Sequence, residues 1–245
     1  MTVILFLFPA SSFSGTPARE LLIEDFKIPP EKLFTVWLKK EYTDQQAGLI
    51  YSIQQEKENK FLHSDTTGNL TLSIQIGKIV NETGIHPADI KYNWDIKQYP
   101  CLRWDWRVNK LPKKGDESKE DFNDSAAGIY VAIQKMKIPF FSWKYQPVNV
   151  LKYVWSTTLP EGKIIHRNFK FLGIELYHVA YLVLQSGENK SKKWVTEKRN
   201  IVQDYKKVFG GEPKYSPFLI GILTDSNATL SEASADFDNF YIMSE

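Results

Sequence analysis

Between positions 102 and 108 apolar and charged residues alternate without a break. Leu102, Trp104, Trp106 and Val108 fall on one face of a strand, and Arg103, Asp105 and Arg107 on the other. The same period of two recurs along the chain. Leu70, Leu72, Ile74 and Ile76 alternate with Thr71, Ser73 and Gln75, and Ile129, Val131 and Ile133 with Tyr130, Ala132 and Gln134. Further strand-like runs cover 150–155, 176–184, 218–223 and 235–242, and 50–54 with 60–63 predicts a hairpin around the polar Glu56–Asn59. Helical spacing is clear once. Ile201, Tyr205 and Val208 form a stripe that Gly210-Gly211 stops, and Thr196 is read as its N-cap. Many strands, one late helix and no strand–helix alternation predict an all-β fold, an antiparallel β-sandwich with the helix outside it or at one end. Trp104, Trp106, Ile129, Val131 and Ile222 are expected in its core. The polar stretch 112–123 predicts a long exposed loop.

A chain of 245 residues with 42% apolar content can fill one such sandwich, here placed at 17–245. The first sixteen residues, apolar from Val3 to Phe8 and then small, resemble a leader for export but lack a basic start. No later run of 18 apolar residues predicts a membrane span. A net charge of only +2 gives no electrostatic case for nucleic acid. The one cysteine, Cys101, excludes an internal disulfide and a cysteine-based zinc site, and is read as a buried thiol. His63, His86, His166 and His178 show no metal-ligand spacing in the sequence.

Several groups are candidates for binding. The row Arg103, Asp105, Arg107 is either a solvated face with weak ion pairs or a polar sheet surface for a sugar or a carboxylate. Asp124 is embedded among structured aromatics. Trp143 and Trp155, with Tyr153, are candidates to stack against sugar rings, Trp143 from a predicted loop. Arg199 and Asp204 lie at the helix start, where an arginine either holds a ligand carboxylate or braces the helix on a sheet. Asp225, Asp236 and Asp238 flank the last two strands. Were Asp25 of the first strand to join them, a Ca²⁺ could staple the two ends of the chain. No nucleophile elbow, P-loop or dinucleotide fingerprint appears, so no catalytic residue is assigned. Asp105, flanked by two arginines, is a poor general acid.

The order of several segments resembles a known family. These are Tyr99-Pro100 into Leu102–Trp106, Asn123–Val131, Leu151–Trp155, Trp194-Val195 with Arg199-Asn200, Asp204-Tyr205, Phe209-Gly210, Ile220–Ile222 to Thr224-Asp225, and Phe237–Phe240. Together they resemble the bacterial domain-of-unknown-function family 3047 of cell-envelope proteins over most of 21–242. The resemblance implies a jelly-roll sandwich of the galactose-binding type, opening on Glu24-Asp25-Phe26 and closing on Asp238-Asn239-Phe240. It brings no activity with it. The expectation is a non-catalytic module of the periplasm or the secreted fraction that binds a glycan or a small polar ligand. The alternatives are a glycan hydrolase or lyase using Asp105 or Asp124, and a structural envelope protein with a flat apolar patch. No cofactor is expected beyond that calcium, and the oligomeric state is open.

Overall fold

The computed structural model describes residues 19–39, 42–68, 72–77, 79–81, 84–86, 94–137, 139, 146–171 and 173–245. The leader and Trp143 lie outside the described residues. The strands are β1 (Glu20–Glu24), β2 (Leu38–Lys39), β3 (Tyr51–Glu56), β4 (Asn59–Thr66), β5 (Ser73–Gly77), β6 (Ile79–Asn81), β7 (Gly84–His86) and β8 (Cys101–Lys110). They continue with β9 (Ala127–Gln134), β10 (Val148–Ser156), β11 (Ile164–Phe171), β12 (Ile174–Ser186), β13 (Val195–Asn200), β14 (Pro217–Leu223) and β15 (Ala233–Met243). Helices are short: α1 (Leu33–Val36), α2 (Asp44–Gly48) and α3 (Ile201–Phe209).

Two sheets form a sandwich. A six-stranded sheet runs β13-β8-β15-β4-β3, with β1 also paired to β15, so the first and last strands lie side by side. A seven-stranded sheet runs β11-β12-β10-β9-β14-β5-β2. The double-Trp strand is β8, and its indoles meet the aromatics of β10 across the sandwich. Trp104 stands 5.3 Å from Tyr153 and Trp106 5.8 Å from Trp155, all four fully or almost fully buried. Ile129, Val131 and Ile222 join the same core. Phe26, Trp37 and Phe240 form a second aromatic group beside it, with ring centroids 5.7–6.2 Å apart.

The seven-stranded sheet is mixed, because β10 and β12 run parallel. After β10 the chain makes β11, reverses through Gly173 and inserts β12 between β11 and β10. Two reversals return β12 to the direction of β10. Helix α3 occupies the expected residues, but its N-cap is Asn200, whose side chain accepts from Gln203 N at 3.0 Å. Thr196 belongs to β13 instead. The 112–123 segment is not simply exposed either. Glu117 is fully buried, and it accepts hydrogen bonds from Ser125 (2.8 Å) and Ser156 (2.5 Å).

Candidate ligand-binding site

Each sheet has one face on the core and one outside, and the two outer faces differ in chemistry. On the six-stranded sheet β8 presents Arg103, Asp105, Arg107 and Asn109 outward. Arg107 donates to Asp236 at 2.7 Å and to Glu56 at 3.1 Å, and its guanidinium lies 4.8 Å from the Trp194 ring. Asn109 donates to the same Asp236 oxygen at 2.8 Å, and His63 Nδ1 meets the other at 2.6 Å. Burial works against the Asp236 charge, but these partners outweigh it and hold the carboxyl below the usual range. Arg103 stacks on Tyr241 at 4.2 Å and reaches Glu20 at 3.4 Å. Neither arginine pairs with Asp105. That carboxylate accepts from Thr196 (2.5 Å) and Asn239 (2.8 Å). The row is therefore an interlocked brace across β4, β8, β13 and β15, with its hydrogen bonds already made.

The outer face of the seven-stranded sheet is organised around a lysine that the strand pattern almost hides. Strand β10 is buried along its whole length, and on its outer face Lys152 sits between Val150 and Val154. A register row crosses the sheet through Gln75, Gly221, Tyr130, Lys152, Tyr181 and Ile165. Lys152 Nζ lies 5.0 Å from the Tyr130 ring and 4.6 Å from the Tyr181 ring, and the residue is 2% exposed. Burial alone would push the ammonium toward neutrality. The two tyrosines and Asp225 overcome that and hold its pKa above the ordinary lysine value. Burial pushes the Tyr130 phenol up to about 12. Gly128 provides the room, since a Cβ there would sit 3.2 Å from Lys152 Cε.

More polar and aromatic groups line this face. Arg167 lies 5.9 Å from the Tyr181 ring and donates from Nη2 to the Glu117 carbonyl at 3.1 Å. Its Nε is buried and has no hydrogen-bond partner among the described residues. Phe169 and Tyr177, 57% and 40% exposed, point the same way with rings 6.2 Å apart. From Tyr177 to Tyr181 the strand advances about 13 Å. Rings thus stand at both ends of a track that has two cations beside it. Sequence reasoning missed Tyr130, Lys152, Arg167, Phe169, Tyr177 and Tyr181. The available signal was Lys152 itself, a lone charge in a strand apolar on both faces.

The other expected residues are engaged elsewhere. Trp155 is fully buried and its indole donates to the Gly187 carbonyl at 3.0 Å, so it offers no ring to a surface ligand. Asp124 is also fully buried. It ties the 226–229 turn down by accepting from the Ala228 and Thr229 amides at 3.1 and 2.7 Å. Arg199 grips Asp204 through Nε (2.9 Å) and Nη2 (2.5 Å), and Tyr153 donates to the same carboxylate at 2.8 Å. This bracing pins α3 to both sheets. It borders an open recess of about 280 Å³ lined by Cys101, Lys198, Arg199, Asn200, Gln203 and Asp204.

The carboxylates considered for calcium have partners of their own. Asp25 pairs with Lys27 at 2.8 Å, Asp236 with Arg107 and His63, and Asp238 accepts from Asn59 (2.9 Å) and the Asn239 amide (2.8 Å). Asp238 does face Asp25 closely enough to feel its charge. Burial first, then Asp105 and Asp25, raise its pKa to about 6. Asp225 lies near Lys152 at the end of β14. No group of three or more metal-ligating side chains converges among the described residues. Among them, too, no helix is long and apolar enough to cross a membrane.

Comparison with the curated proteins finds no match. Among solved structures the chain is similar to the family 11 carbohydrate-binding module of a cellulosomal cellulase of Clostridium thermocellum. The identity is 8% and the TM-score 0.40, over 91% of this chain and 94% of that one. A family 12 xyloglucanase from Bacillus licheniformis is similar at 8% identity and a TM-score of 0.48, over 93% of this chain and 100% of that one. A mannan-recognising carbohydrate-binding module is similar at 12% identity and a TM-score of 0.33, over 93% and 99%. A family model matches residues 35–241, most of the chain, and the chain therefore belongs to the family described as protein of unknown function DUF3047.

Proposed function

We propose that this protein is a non-catalytic binding module that holds a glycan along the outer face of its seven-stranded sheet. The observation that supports this is the exposed ring pair of Phe169 and Tyr177, which continues into Tyr181 over Tyr130 and the buried Lys152. Aromatic faces take the C–H faces of sugar rings, and nearby donors orient the hydroxyls. The outer face of the six-stranded sheet is the weaker candidate, because its arginines and carboxylates already satisfy one another. The same engagement argues against Asp105 as a glycosidase acid, and Asp124 is buried under its turn.

Calorimetric titration of the purified protein with soluble oligosaccharides, neutral and uronate-bearing, tests the reading. Binding by at least one class is expected, and Tyr177→Ala, at a 40% exposed position, should weaken it about tenfold, or roughly 1.4 kcal/mol. No heat from any of them at millimolar concentration would overturn it. The reading includes an exported location, for which recovery from the periplasmic or secreted fraction is the check; retention in the cytoplasm would contradict it.

A further inference from the structure

The β11–β12 hairpin brings together two histidines that lie 12 residues apart in the sequence. His166 pairs with Ala180 and His178 with Asn168, so the two imidazoles are diagonal neighbours on one face. His166 Nδ1 and His178 Nε2 stand 2.9 Å apart. We propose that His166 and His178 form a two-histidine chelate for a borderline divalent transition-metal ion, Zn²⁺ or Cu²⁺, with solvent completing the coordination.

Three features support this independently of the glycan reading. First, the two ring nitrogens converge. A tetrahedral ion with bonds of about 2.0–2.1 Å needs its nitrogens roughly 3.3 Å apart and off the ion's line of centres, so the rings must part by about 0.4 Å and each must tilt to turn its lone pair from the other nitrogen toward the ion. Second, the far nitrogen of His178 faces a carboxylate, with Nδ1 3.6 Å from Glu175 Oε1. Lys135 fixes that oxygen at 3.0 Å. A carboxylate there favours the tautomer with the proton on Nδ1, which leaves the Nε2 lone pair facing His166. Before metal binding, His166 Nδ1–H donates to that lone pair. On binding, the His166 proton moves to its own Nε2 on the solvent side, and both inner nitrogens become ligands. Third, the edge of the Phe209 ring packs on His178 with centroids 4.9 Å apart, which holds one ligand still while His166 stays exposed.

The donor set also selects the ion. Imidazole nitrogen suits Zn²⁺ and Cu²⁺, whereas Ca²⁺ and Mg²⁺ want oxygen. With only two protein ligands the affinity falls well below that of a closed zinc site, in the range of roughly 1–50 µM. Titrating the full chain with ZnCl₂ and CuSO₄ at pH 7.5, followed by calorimetry and by the imidazole nitrogen resonances, tests it. The expected result is one equivalent bound, shifts at His166 and His178, and a tenfold or greater loss in H166Q and in H178Q. Glu175→Gln should weaken binding severalfold while leaving both ligands in place. CaCl₂ and MgCl₂ should give neither heat nor shifts. The proposal is overturned if neither transition metal binds, or if the resonances of His166 and His178 stay unmoved while metal binds elsewhere. It also fails if both glutamine variants bind like the parent.

Discussion

Lys152 is the residue whose surroundings most need explaining, because a buried ammonium is costly unless its neighbours compensate. Two tyrosine faces and Asp225 do so here. Lys152→Met keeps the stem and removes the charge, and should cost about 1–2 kcal/mol; Lys152→Ala also opens a cavity and should cost about 3 kcal/mol. Urea unfolding at unchanged m-value measures both. A methionine variant as stable as the parent would show that the clamped cation contributes nothing. Asp238 gives a second prediction at this scale. Its folded pKa of about 6 lies above the ordinary aspartate value of 3.8, so the native state holds its proton more tightly than the unfolded chain. This group therefore lowers stability as the pH rises from about 4 to about 6, and the loss persists above that, on the order of 3 kcal/mol. Asp238→Asn should flatten that part of the stability–pH curve; parallel curves for variant and parent would refute it. Little of this was legible in the sequence. The strand pattern marks Lys152 as anomalous, but its tyrosines come from β9 and β12, and the His166–His178 contact depends on a hairpin register that composition does not encode.

At the scale of elements more of the structure is legible in the sequence. β8 and α3 were legible because each has an unbroken period, two in one case and near 3.6 in the other. Trp104 and Trp106 lie in the core as their alternation requires, and Trp→Ala at either should cost about 3–5 kcal/mol. Strand β13 was missed because Val-Thr-Glu-Lys-Arg-Asn is an edge strand with one partner and a mostly polar sequence. That miss also displaced the helix cap. With β13 running to Asn200, the cap must be Asn200, and Asn200→Ala should destabilise by about 1 kcal/mol in a thermal melt, whereas Thr196→Ala should leave α3 intact. The parallel β10–β12 pair was not legible, since antiparallel hairpins and an inserted strand have the same local pattern.

At the scale of the whole molecule, the alternation of β5, β8 and β9, together with the apolar runs of β10, β14 and β15, is enough to predict two sheets around an aromatic core. It does not say which outer face is free to bind. That distinction comes from long-range partners. Arg103 and Arg107 find Glu20, Glu56 and Asp236 on other strands, while Phe169 of β11 and Tyr177 of β12 remain exposed. The most direct measurement is a calorimetric comparison of two variants against one oligosaccharide that the parent protein binds. Tyr177→Ala alters the seven-stranded face and Arg103→Ala the six-stranded face. Binding on the seven-stranded sheet predicts that Tyr177→Ala weakens affinity about tenfold and that Arg103→Ala leaves it within about twofold. The reverse order, with both variants folded, would contradict it and place the ligand on the charged brace of β8.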